Sequence, residues 1–235
     1  MIFDWKSDHD PESKAYGVRQ LTAGTQRRQV FWTPGPVLDQ GQEGACVGHG
    51  WTSELTSSPV RVDLSKVALP PGWPSDPQAF AFHLYNVCRA NDSFPGADHT
   101  GTSVIAGAQA MQELGLIKEY RWAFGVEDVA NALCSIGPVV LGIPWHRAMY
   151  RAPNAELTVD GPEVGGHCLL AIGYDPAHRW DDGSYGPGVC LFNSWGQDWG
   201  RHGWAWIRVA ALDELLRRGR GEACVPLRRS YGRRP

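Results

Sequence analysis

A chain of 235 residues with 43% apolar and 20% charged residues can bury a sizeable core. Its formal net charge of −3 excludes a chain-wide attraction to nucleic acid or to an anionic membrane surface. No run approaches the ~20 apolar residues of a membrane span. Eleven tryptophans point to large buried aromatics or to a groove lined with them.

In chain order, residues 1–36 read as an irregular leader ending in the turn Thr33-Pro34-Gly35-Pro36. The polar, acidic start lacks the apolar stretch of a secretory signal, so the expectation is synthesis in a cytosol, with a phage virion or a host cell as a later location. The glycine-rich segment from Val37 to Ala45 reads as a loop. From Cys46, the residues Val47, Trp51 and Leu55 recur every fourth position, as in a helix burying one stripe. Residues 57–76 are rich in proline and read as a loop. Helices are predicted over 77–89, 103–114 and 126–136, the second closed by Gly115 and the third by Gly137-Pro138. Strands are then predicted at 139–143, 168–172, 189–192 and 204–209, with a short helix at 212–217 and a polar inserted loop over 175–188. Helices first and strands later give an α+β chain with a helical lobe, an antiparallel β-rich lobe and a cleft between them. Arg228, Arg229, Arg233 and Arg234 form a basic tail over 228–235, read as solvated.

Three blocks carry chemistry. Cys46 stands where the loop enters a helix, a place that lowers a thiol's pKa through the helix dipole and the unsatisfied N–H groups of the first turn. Gln40, six residues earlier, offers a side-chain amide to a developing oxyanion beside the Cys46 N–H. His167, in Gly165-Gly166-His167-Cys168, opens an apolar strand. Asn193, in Asn193-Ser194-Trp195-Gly196, ends another strand, where an amide can hold an imidazole and a tryptophan can cover the bond. His49, three residues after Cys46, has no second metal-ligand pair and reads as a helix-surface histidine. The six cysteines, Cys46, Cys88, Cys134, Cys168, Cys190 and Cys224, include no Cys-x-x-Cys pair and read as free thiols.

Together these blocks resemble the papain-like cysteine peptidases. Asn193-Ser194-Trp195-Gly196, continued by Trp199-Gly200 and Gly203-Trp204, is similar to that family's Asn-Ser-Trp-Gly-x-x-Trp-Gly-x-x-Gly-Tyr motif. His167 follows Cys46 by 121 residues and Asn193 follows it by 147, against the roughly 130–150 residues of the family's spacing. The resemblance covers about Val37 to Val209, with 37–227 as the peptidase domain. It implies Gln40 as oxyanion donor, Cys46 as nucleophile, His167 as base and acid, Asn193 as its orienter and Trp195 as the shield. It places Ser103, Val104, Gly166, Cys168 and Trp195 on the substrate side, around a small to medium apolar pocket without a fixed charge.

The sequence also departs from the family. Glu43 replaces the first cysteine of the family signature, and its carboxylate raises the thiol's pKa if it turns inward. Val47 replaces an aromatic residue, and the cleft-lining Gly-Gly step is Gly101-Thr102. Missing disulfides, a missing signal and a missing inhibitory propeptide match the compact bacterial and phage members. The resemblance implies an endopeptidase that hydrolyses peptide or protein substrates through a thioester acyl-enzyme. It implies no metal and no organic cofactor, and no nucleic-acid or membrane partner. Two other readings stand beside it: an amidase or transpeptidase acting on cell-wall peptides, and a non-catalytic structural or binding protein of a phage particle.

Overall fold

The apolar runs at 139–143 and 168–172 lack the alternation of a half-exposed strand, because both faces of the sheet they form are covered. The structure, a computed structural model, describes residues 5–8, 15–94, 96 and 99–229, the last two by backbone alone. Parts of the expected leader, and Arg233 and Arg234 of the expected tail, lie outside the described residues.

The elements are β1 (Val30–Phe31), α1 (Cys46–Thr56), α2 (Pro77–Asn91), α3 (Val104–Glu113), β2 (Ile117–Trp122), α4 (Val126–Ser135) and β3 (Val139–His146). They continue with β4 (Glu156–Leu157), β5 (Glu163–Arg179), β6 (Tyr185–Phe192), β7 (Trp204–Arg208), α5 (Val209–Arg217) and β8 (Glu222–Arg229). One sheet runs β2-β8-β3-β5-β6-β7-β4, with β1 added to β5. Its pairings are antiparallel except for β4 with β7.

Alternate residues of each central strand enter different cores. Val140, Cys168, Leu170 and Ile172 pack with Trp51 and Leu55 of α1, Phe80 of α2 and Met111 of α3. Val139, Leu141, Ile143, Leu169 and Ala171 pack with Val129 of α4 and Leu212 of α5. The result is a helical layer on one face of the sheet and two helices on the other, an α+β architecture.

Local chemistry sets the helix starts. Asp76 accepts from Ala79 N and Pro77 opens α2; Ser103 accepts from Ala106 N at the start of α3. In α1 all residues from Cys46 to Thr56 are buried, which makes it the central helix of its layer. Its glycines permit that position. A Cβ on Gly48 would overlap Ala81 O and lie 2.8 Å from Tyr85 N, so α1 and α2 meet backbone to backbone. Gly48→Ala is therefore expected to cost about 3 kcal/mol by overpacking, outweighing the ~1 kcal/mol that alanine adds to helix propensity. Urea unfolding checks this, and an unchanged midpoint would contradict the contact.

Several features depart from the sequence reading, beginning with strands β1, β2, β4 and β8, which it did not mark. The polar stretch over 175–188 is an extension of the β5–β6 hairpin, with Asp175 opposite Gly188 and Arg179 opposite Tyr185. Its polar residues reflect exposure beyond the core, not the absence of pairing. Strand β8 runs to Arg229, across the boundary expected after residue 227.

Candidate active site

Cys46 is the first residue of α1 and is 0% exposed. Ala45, at the N-cap, has no side chain to cap the first turn, so no cap blunts the positive end of the helix at the thiol. Helix α1 lies on β5, where a Cβ at Gly50 would stand 2.9 Å from Cys168 Sγ. Burial, and after it the Cys46 thiol, pushes the Cys168 pKa well up. His49, one turn along α1, adds to the burial that lowers the His167 pKa. The Gly50 contact sets α1 against residues 168–169 of β5, next to His167.

His167 lies on β5 opposite Ile143. Its Nε2 is 2.7 Å from Asn193 Oδ1, which also accepts from Ser194 N at 2.8 Å. Two donors converging on that atom fix it as the amide oxygen, so Nε2 carries the proton and Nδ1 is the basic nitrogen of the neutral ring. The Trp195 and Trp145 rings each lie 4.8 Å from the imidazole, Trp145 edge-on. Burial lowers the His167 pKa to about 4, against the opposing Asn193 bond. The imidazole is thus neutral at neutral pH.

The loop before Cys46 is docked onto the Asn193 loop. Gln40 N donates to Ser194 O at 2.9 Å, and Ser194 Oγ donates to Gln40 Oε1 at 2.8 Å. Gln40 Nε2 donates to Glu43 O at 2.8 Å, which uses one of its two N–H groups. Gly196 N donates to Leu38 O at 3.1 Å. Glu43 itself is exposed, so its carboxylate does not turn in toward the thiol.

His49 is 0% exposed and not on the helix surface. Its Nδ1 bonds Ala45 O at 2.8 Å, and its Nε2 is 3.1 Å from Gln78 Nε2. Gln78 in turn accepts from Asp39 N at 2.9 Å and donates to Asp39 O at 2.8 Å. Gln78 and His49 thereby clamp both ends of the loop that presents Gln40 and Cys46. Sequence reasoning missed Gln78, Trp145 and Ser194. Only Ser194 left a signal, its place inside the Asn193 motif.

The expected substrate-side residues divide. Ser103 and Val104 are 0% exposed and engaged within the helical layer, Ser103 as the N-cap of α3 and Val104 O accepting from Trp51 Nε1 at 3.1 Å. Cys168 is buried under α1, and Trp195 packs on His167. Gly166 packs against Trp5, whose Nε1 donates to the Glu222 carboxylate on β8 at 3.4 Å, so its surroundings are not wholly apolar. That acid sits in a strand the periodicity did not mark.

Comparison with known proteins gives one family and several structures of similar fold. The family model described as Papain family cysteine protease matches residues 72–214, which include His167 and Asn193. Comparison with curated sequences gives no match. Among solved structures, xylellain, a cysteine protease from Xylella fastidiosa, is similar with a TM-score of 0.66 and 16% identity, covering 95% of each chain. Digestive procathepsin L2 from Tenebrio molitor larval midgut is similar with a TM-score of 0.61 and 16% identity, over 94% of this chain and 76% of that one. Procathepsin L 3 of the same midgut gives a TM-score of 0.60 and 16% identity, over 87% and 71%. With the family model spanning more than half of its length, the chain belongs to the papain family of cysteine proteases.

Proposed function

We propose that the chain is an endopeptidase in which Cys46 attacks the scissile carbonyl, His167 moves the proton and Asn193 holds the imidazole. One observation carries this reading. Ser194 bonds Gln40 through its hydroxyl and Asn193 Oδ1 through its N–H, so one residue ties the loop leading to Cys46 to the group that orients His167.

The steps follow from the atoms. Nδ1 of neutral His167 takes the Cys46 proton as the sulfur adds to the peptide carbonyl. The oxyanion is met by the Cys46 N–H, at the positive end of α1, and by the second N–H of Gln40. The imidazolium, held by Asn193 Oδ1, then protonates the leaving amine, and a water cleaves the thioester by the same route in reverse. Trp145 and Trp195 keep water from the His167–Asn193 bond, which strengthens it. We place the protein among the compact bacterial and phage members, a reading supported by its two-way coverage with the Xylella fastidiosa protease.

The test is incubation with a peptide mixture and mass spectrometry of the products, repeated with Gln40→Ala. The variant is expected to lose about 10²–10³ in kcat while iodoacetamide still alkylates Cys46, because the oxyanion donor acts only after attack. Absence of cleaved products with the unaltered protein, or unchanged kcat in the variant, would refute these roles.

A further inference from the structure

The outer part of the β5–β6 hairpin reaches across β7 to β4, where Asp181 N donates to Glu156 Oε1 at 2.6 Å. The cleavage steps above use no residue of it. His178 stands opposite Gly186, and Gly188 opposite Arg208 of β7, so these positions share one side of the sheet with Trp204 and Trp206. The two glycines leave β6 bare between its neighbours. A Cβ on Gly188 would stand 3.1 Å from Trp180 and 3.2 Å from Trp206. Rings of β5 therefore meet rings of β7 across the strand between them, and His178 stacks on Trp206 with centroids 4.3 Å apart. Beside these rings is a recess of about 410 Å³, lined also by Asn154, Glu156, Arg201 and Trp204.

Trp180, Trp204 and Trp206 all line it. Trp204 and Trp206 are half-buried and lie about 7 Å apart along β7, the rise of two residues. Trp180 is 2% exposed, and its Nε1 donor has no hydrogen-bond partner among the described residues. A buried donor left so costs about 1–3 kcal/mol, which an acceptor brought by a ligand removes. The charges of the lining balance, Arg179 and Arg201 against Glu156 and Asp181. Burial lowers the His178 pKa, so that ring adds no charge at neutral pH. The recess thus has no net field to draw a phosphate or a strongly charged peptide. The carboxylates accept, the guanidinium groups donate, and the Asn154 amide does both. That amide is held in place by donating to Asp181 Oδ2 at 2.7 Å.

We infer that this recess is a binding site for a neutral oligosaccharide. A sugar ring has an apolar face of C–H groups, which lies on an aromatic ring, and a rim of hydroxyls that each donate and accept. Aromatic rings flanked by mixed donors and acceptors, with no net charge, match both parts. A proline-rich strand also lies on aromatic rings, but its prolines have no N–H to give Glu156 or Asp181. A single-stranded nucleic acid stacks as well, but its phosphates need an excess of cations that this lining lacks. The site concerns binding alone and stands whether or not Cys46 cleaves peptides.

The test is titration of the full-length, isotope-labelled protein with cellotetraose, maltotetraose and tetra-N-acetylchitotetraose, followed through the indole N–H resonances. At least one sugar is expected to bind with a Kd of about 1 mM or tighter and to shift the Trp180 and Trp206 signals. Comparison of the three separates a glucan from an amino-sugar polymer as the source. Trp206→Ala is expected to weaken binding about tenfold, by loss of the stacking surface. Asn154→Gly keeps the positive φ of 55° at that position and removes only the amide. It is expected to weaken binding about fivefold, and it tests the site if Trp206→Ala does not fold. Absence of binding by all three sugars at about 10 mM overturns the proposal. Binding that leaves both indole signals in place, or that Asn154→Gly leaves unchanged, overturns it too. Decaproline or oligouridylate shifting those signals where the sugars do not overturns it in favour of a peptide or a nucleic acid.

Discussion

Cys46→Ala is expected to lower kcat on any peptide substrate by about 10⁴ or more, the scale of losing the attacking atom from a unit that acts together. The loss should not be shared with another thiol. Burial raises the pKa of Cys88, Cys168, Cys190 and Cys224, which keeps each protonated and poorly nucleophilic. The substitution removes one sulfur from a buried site and is expected to cost only about 1 kcal/mol of stability, since the void is about the size of a methyl group. Turnover and urea unfolding measured on one preparation separate the two effects. A folded Cys46→Ala protein that retains more than about one part in a hundred of the activity would end the nucleophile assignment, because no acyl-enzyme forms without the sulfur.

Acid is expected to unfold the protein by way of His49 and His167. Burial is the first cause of both depressed pKa values, each about 4 in the folded chain, against about 6.5 when unfolded. As pH falls through 6.5 the unfolded histidines take up protons while the folded ones do not, so stability declines from there down to about pH 4. At pH 4.5 the two together are expected to remove about 5 kcal/mol relative to pH 7, a large part of the ~5–15 kcal/mol that holds a typical domain together. The cost at His49 has a structural counterpart. A proton on its Nε2 would face the Gln78 Nε2 donor, and turning that amide would break both of its bonds to Asp39. Urea midpoints between pH 7 and 4.5 check this, with about two protons taken up per unfolding event and one fewer in His49→Gln. A flat profile over that range would show that the two rings are not held neutral.

The parts of the fold legible in the sequence were those fixed by local pattern or by a contiguous motif. The four-residue repeat from Cys46 marked α1, and Pro77 and Gly115 bounded helices they help to start or stop. Asn193 and His167 stand in short blocks and are joined by a 2.7 Å bond. What escaped depends on distant partners. Strand β2 is at the sheet edge with a mixed burial pattern, and its partner β8 contains Pro226 opposite Tyr120, a residue that argues against a strand when read alone. Because β8 was invisible, so was Glu222, which meets Trp5 across 217 residues of sequence. His49 was misplaced for a related reason. Its helix is buried all round, so no polar face exists to receive it.

Burial of Cys46 also turns covalent labelling into a clock. The sulfur is 0% exposed, so a small alkylating reagent reaches it only in molecules that have opened. Its rate of modification is then the reagent's intrinsic rate multiplied by the open fraction, as in amide exchange from a locally opened state. Cys134, half-buried at the edge of α4, meets the same reagent without that wait. The two peptides carrying these cysteines, quantified in one digest, give the opening equilibrium with the reference thiol built into the same molecule.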